Sequence, residues 1–312
     1  MTLHLSKHVK IYFPTTQTRE KVTMMKLKKV AVLGAGLMGH GIAQVGAQVA
    51  KYDVSLRDVE QEFLDKGMKM IQGSLQKFVD KGKVSGEEMS ETLDRIHPIV
   101  DLREAVADAD LIIEAVPENV EVKKRVFLET EKYAKEDAII ASNTSSISVT
   151  LLASAMRRPE RFCGMHFFNP PQLMKLVEVI RAPKTSDETV SAVIEAAKKM
   201  GKEPVVVKKD SPGFIVNRIL IPALNEALYL VWEGVADQDE IDKAIRLGLN
   251  WPMGPLTLLD HVGLDTTLAI LRAFQKEMED TKYKPCPLLK QMVEAGLLGR
   301  KTGKGFYDWK KR

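Results

Sequence analysis

Through the first two thirds of the chain, short apolar runs alternate with longer stretches of mixed character. Lys28–Leu33 (KKVAVL) is an apolar run ending at Gly34, the pattern of a buried parallel strand. Leu37–Ala50 follows as a helix, then Tyr52–Arg57 as a second strand ending at Asp58. A lysine-studded helical stretch runs from Glu60 to about Lys83. Arg95–Val100, Leu111–Ala115 and Ala138–Ser142 read as further strands, with a helix over Val120–Tyr133 between the last two. Beyond Thr150 come Arg161–Phe168, Met174–Ile180 and Pro204–Lys208, with a helix over Asp187–Met200 stopped by Gly201. Strands alternating with helices predict βαβ units and a mostly parallel, Rossmann-like α/β sheet.

The pattern changes at the turn-rich Lys208–Gly213 segment. After it, apolar residues recur at helical spacing over Ile215–Glu233, with Pro222 expected to kink the helix. Asp239–Leu247, Pro255–Glu277 and Pro287–Ala295 also read as helices. The expected organisation is an α/β domain over 28–208 and an all-α domain over 209–312 that carries substrate and dimer contacts. Residues 1–27 read as a frayed N-terminal extension or a product of start-site choice, with Met24 and Met25 as alternative starts.

Composition narrows the class without naming a chemistry. The 312 residues are 45% hydrophobic and 28% charged, with apolar material enough for real cores. Only two cysteines, Cys163 and Cys286, are present, so a reduced, cytoplasmic setting is expected and a disulfide framework is excluded. Cys and His show no metal-ligand spacing, so no metal is expected. Net charge is +4 and unclustered, which argues against nucleic acid as a partner. The longest uncharged stretch, within 138–156, is too rich in Ser and Thr to span a membrane.

Gly34-Ala35-Gly36-Leu37-Met38-Gly39 fits G-x-G-x-x-G between a strand and a helix. Gly34 permits the tight turn, Gly36 the approach of a pyrophosphate, and Gly39 close helix–strand packing, while the helix N-terminus attracts the anion. Asp58 lies 22 residues after Gly36, near the spacing of a ribose-binding acid. Its charge favours NAD, and the adjacent Arg57 keeps NADP open.

A second set of residues looks chemical. Ser142–Ser146 follows a strand, at the sheet end where ligands bind in such folds. His166 and Glu178 lie in two strand-like runs joined by Asn169-Pro170-Pro171, so strand pairing would bring them together as a general base and its orienter. From spacing alone, a lone histidine in an apolar strand is more often a satisfied core residue. Asn217 stands at the start of the helical region, either facing solvent or reaching back to the domain junction.

VLGAGLMGHGIAQ (32–44), ASNTSSIS (141–148), GMHFFNP (164–170), MKLVEVI (174–180), DSPGFIVNRIL (210–220), PMGPLTLLDHVGLD (252–265) and GRKTGKGFYDW (299–309) occur in one order. In that order they resemble the 3-hydroxyacyl-CoA dehydrogenase family, most of all its short bacterial 3-hydroxybutyryl-CoA members. The resemblance implies an NAD-linked oxidoreductase acting at C3 of an (S)-3-hydroxyacyl-CoA thioester, as a homodimer. It implies that His166, paired with Glu178, is the acid/base, and that Ser145 and Asn217 hold the substrate. It places Glu118, Lys123, Ser145, Asn169 and Lys301 with the cofactor, and Ser74, Lys81 and Ser145 with coenzyme A. Two alternatives stay open here: a β-hydroxyacid dehydrogenase for a free acid, and a non-catalytic NAD-binding protein.

Overall fold

The computed structural model describes residues 27–310, so the expectation for the N-terminal extension lies outside the described residues save Leu27. The chain begins β1 (Lys29–Leu33), α1 (Gly39–Gln48) and β2 (Asp53–Arg57). A helical hairpin follows, α2 (Gln61–Asp80) and α3 (Gly86–Asp94), before β3 (Ile96–Ile99). The next elements are α4 (Leu102–Val106), β4 (Leu111–Glu114), α5 (Val120–Tyr133), β5 (Ile139–Ser142) and α6 (Val149–Ala153). β6 (Phe162–Phe167), β7 (Leu176–Ile180), α7 (Asp187–Lys199) and β8 (Glu203–Val207) complete the sheet. Five helices follow: α8 (Val216–Trp232), α9 (Gln238–Leu249), α10 (Pro255–Val262), α11 (Leu264–Met278) and α12 (Pro287–Glu294).

The eight strands form one sheet in the order β3-β2-β1-β4-β5-β6-β7-β8. Every neighbouring pair is parallel except β6–β7. β1 has β2 on one side and β4 on the other, so the strand order reverses there and opens a crevice beyond the carboxyl ends. Val30–Leu33 of β1 and Leu111–Ile113 of β4 are apolar because both faces of the sheet are covered. Leu64, Ile71 and Leu75 of α2 and Val193 of α7 pack on one face with α1. Phe127 of α5, Leu152 of α6 and Val106 of α4 pack on the other.

The helical region has its own core around Leu224, Leu259, Leu271 and Phe274. Two buried carboxylates pin it. Asp260 accepts from the Phe306 and Tyr307 amides and from Trp309 Nε1, each at 2.9 Å. Asp242 accepts from the amides of Leu256 and Thr257 at the start of α10.

Several sequence expectations are corrected here. The stretch Pro255–Glu277 is two helices, broken at Gly263 with φ +98°. α8 is one unbroken helix with Pro222 inside it, the ring having no N–H to donate to the carbonyl one turn back. α1 starts only at Gly39, leaving Leu37 and Met38 in the loop. α3 as a separate helix was not resolved within the helical excursion Glu60–Arg95, yet its signal is present: Ser85 and Glu88 form a reciprocal capping box.

Candidate active site

The β1–α1 turn sits at the reversal point of the sheet. A Cβ on Gly34, where φ is +107°, would lie 2.5 Å from the Ala115 carbonyl oxygen beyond β4. One on Gly39 would lie 1.6 Å from the Gly34 carbonyl oxygen. Both glycines are therefore required by the protein's own packing. Gly36 differs, because a Cβ there would meet nothing within 4 Å. The room in front of it, beside an α1 N-terminus that has no side-chain cap, suits a pyrophosphate. Leu37 is exposed and Met38 half-buried at the same turn. Asp58 accepts from the amides of Ala35 and Val59, both at 2.7 Å, so it braces the glycine turn and holds negative charge beside it. The Arg57 Nε donates to the Val100 carbonyl instead.

One strand further along, a charged network lies beneath the Ser142–Ser146 turn. Glu118 Oε1 accepts from the Thr144 hydroxyl at 2.6 Å and from the Ser145 and Ser146 amides at 2.9 and 3.1 Å. Its other oxygen lies 3.2 Å from Lys123 Nζ. Burial pushes the Glu118 carboxyl up, but the Lys123 charge and these hydrogen bonds outweigh it and hold the group below its ordinary value. Lys123 is buried and also bonds Glu114.

β6 and β7 pair antiparallel with His166 directly opposite Glu178. Nδ1 of His166 lies 2.8 Å from Glu178 Oε2, and both side chains are buried. A carboxylate accepting at Nδ1 leaves Nε2 as the basic nitrogen. Phe168 and Phe214 flank the imidazole, with ring centroids at 4.6 and 5.5 Å. Glu178 Oε1 accepts from the Ile215 and Val216 amides, both at 3.0 Å, at the start of α8. Asn217 is the next residue, half-buried in the first turn of that helix.

Comparison with known proteins matches this arrangement to one family. Residues 29–211 match the 3-hydroxyacyl-CoA dehydrogenase NAD binding domain, and residues 213–309 match the 3-hydroxyacyl-CoA dehydrogenase C-terminal domain. The chain belongs to the 3-hydroxyacyl-CoA dehydrogenase family. It is 52% identical over 281 residues, 90% of this chain and 100% of the other, to a probable 3-hydroxybutyryl-CoA dehydrogenase of Deinococcus radiodurans. It is 44% identical over 290 residues, 91% of this chain and 92% of the other, to the human mitochondrial hydroxyacyl-coenzyme A dehydrogenase. The crystal structure of an (S)-3-hydroxybutyryl-CoA dehydrogenase from Ralstonia eutropha superposes with a TM-score of 0.87 at 44% identity, covering 91% of this chain and 99% of that one.

As a 3-hydroxyacyl-CoA dehydrogenase family member, the chain is an NAD-dependent oxidoreductase. The remaining expected residues fall into separate places. Lys301 pairs with Asp265 at the start of α11. Asp265 lines a cleft of about 800 Å³ that Glu118 and Ser145 also line. Asn169 is exposed just past β6. Ser74, half-buried, lies in the second half of α2, and Lys81, exposed, follows its last residue. Met70, Ser74, Lys77 and Lys81 recur at spacings of four, three and four, which puts them on one stripe. Cys163 is fully buried, and burial pushes its thiol up to about 12, so it is no nucleophile.

Asn143, within the expected Ser142–Ser146 turn, accepts the Phe167 amide on its Oδ1 at 2.9 Å and fixes the backbone beside His166. One residue of the site was missed in the sequence. Glu114 lies in the run Leu111–Ala115, and a carboxylate in a strand otherwise buried on both faces was the available signal.

Proposed function

We propose that this protein interconverts (S)-3-hydroxybutyryl-CoA and acetoacetyl-CoA, using NAD in preference to NADP. The observation that carries the reading is the 2.8 Å contact between His166 Nδ1 and Glu178 Oε2 on directly paired strands. In oxidation, His166 Nε2 takes the proton of the 3-hydroxyl as the C3–H bond gives up its hydride. Bound NAD supplies the hydride acceptor, and Gly36, the α1 N-terminus and Asp58 are the residues that fit it. Glu178 accepts the Nδ1–H and stabilises the imidazolium that forms. Ser145 and Asn217 donate to the substrate oxygens, where charge develops. In reduction the same steps run backwards, and His166 protonates the 3-oxo oxygen.

Coenzyme A lies along the Ser74–Lys81 stripe of α2, with the lysines toward its phosphates. Lys301, Asn169, Glu118 and Lys123 serve the cofactor side. The active unit is a homodimer formed through the helical region, and the buried free cysteines Cys163 and Cys286 fit a cytoplasmic setting. The test is NADH consumption with acetoacetyl-CoA, longer 3-oxoacyl-CoA thioesters and free acetoacetate. Turnover is expected with the thioesters, highest at four carbons. Activity with the free acid alone overturns the reading.

A further inference from the structure

Glu114 ends β4, a strand whose four residues are all fully buried. Every oxygen it has is used. Oε1 accepts from Lys123 Nζ at 2.6 Å and from the Val116 amide at 2.7 Å, and Oε2 accepts from the Ser142 hydroxyl at 2.6 Å. Its backbone carbonyl takes the Asn143 amide at 2.8 Å. Glu114 and Lys123 side chains are 0% and 1% exposed. A buried ion pair is a weak way to stabilise a core, since two apolar side chains of similar volume commonly pack as well. Burial indeed pushes the Glu114 carboxyl up, against the pull of Lys123.

What the pair does is join three parts of the site. Ala115, the next residue, abuts Gly34 of the glycine turn. Lys123 reaches past Glu114 to Glu118, and Glu118 holds the Ser145 and Ser146 amides. Ser142 opens that same turn and passes on the contact by accepting the Thr144 amide. We propose that Glu114 is a positioning residue for the cofactor side of the site. It holds Lys123 and Ser142, and through them the Glu118 carboxylate and the Ser145–Ser146 turn. The inference rests on the reading of Glu118, Lys123 and Ser145 as cofactor-side residues.

Glu114→Gln separates positioning from packing. Its amide keeps the shape, its oxygen still faces Lys123 and Val116, and its NH2 donates to Ser142 Oγ. The charge that holds Lys123 is lost, and the Ser142 hydroxyl changes from donor to acceptor in that contact. The KM for NADH is expected to rise about tenfold, the loss of one charged hydrogen bond. kcat at saturating NADH should stay within about threefold and the KM for acetoacetyl-CoA within about twofold. In a Lys123→Met background the same change should add less than about twofold, because the two residues act as one unit. A merely structural Glu114 would instead raise both KM values and lower kcat together. That result, an unchanged KM for NADH, or full multiplicative effects in the Lys123→Met background would overturn the proposal.

If Glu114→Gln does not fold, the uncharged pair Glu114→Gln/Lys123→Met is assayed in its place. An NADH Kd equal to wild type in that variant overturns the proposal. NADH binding by fluorescence titration keeps the test separate from the reading beneath it. Absence of acetoacetyl-CoA turnover in the wild type would defeat that reading while the NADH Kd still reports on Glu114.

Discussion

At His166, one carboxylate decides which ring nitrogen meets the substrate. Glu178 occupies Nδ1, and the two phenyl rings leave little solvent to compete for the proton. General acid–base catalysis by a positioned side chain is worth about 10²–10⁴-fold, so His166→Ala should lower turnover by about 10³-fold. NADH affinity should change by less than about twofold, since the glycine turn is built from other strands. Steady-state kinetics beside an NADH titration checks this, and an equal loss of both would make His166 a core residue. This pair was readable in the sequence, because two apolar runs joined by a short proline-containing turn must lie close. Glu114 was not. Its partners Lys123 and Ser142 come from elements 9 and 28 residues away, and only the folded β4–β5 edge brings them to one carboxylate.

Among the elements, the β1–α1 turn makes its three glycines unequal. Gly39→Ala pushes a methyl group into the Gly34 carbonyl and should cost about 1–3 kcal/mol, read as a fall in Tm. Gly36→Ala meets no protein atom, so Tm should hold within about 2 °C while the NADH Kd rises at least about tenfold. A Tm loss at Gly36 would mean that the turn is a packing feature alone. Sheet and helix identities followed from periodicity, which survives because both sheet faces are covered. The errors fell where backbone conformation outweighs periodicity. Gly263 breaks one apolar stripe into α10 and α11, and the capping box at Ser85 starts α3 in a polar stretch with little periodic signal.

For the whole molecule, the C-terminal motifs prove to be joints. Gly254, Gly299 and Gly305 make room for Asp242 and Asp260, whose carboxylates gather the ends of the helical region. The same region leaves Trp232, Val235, Leu247 and Leu249 exposed, with Leu247 at 73%. A second copy of the chain is the partner we expect for this region, since it would cover large apolar side chains now left in water. Light scattering should give about twice the 34.9 kDa chain mass, and Leu247→Glu should shift the population toward monomer. A monomeric wild type at micromolar concentration would count against it.

The two amides that Glu178 receives from Ile215 and Val216 have a consequence for inheritance. The turn-rich Lys208–Gly213 segment is a natural seam for recombining halves between relatives, yet the acid that tunes the base on one side is capped by a helix from the other. A chimera joined at the linker exchanges that cap along with the helical half. One joined after Asn217 keeps base, orienter and cap from a single parent, and that crossover is the one under which function should travel intact.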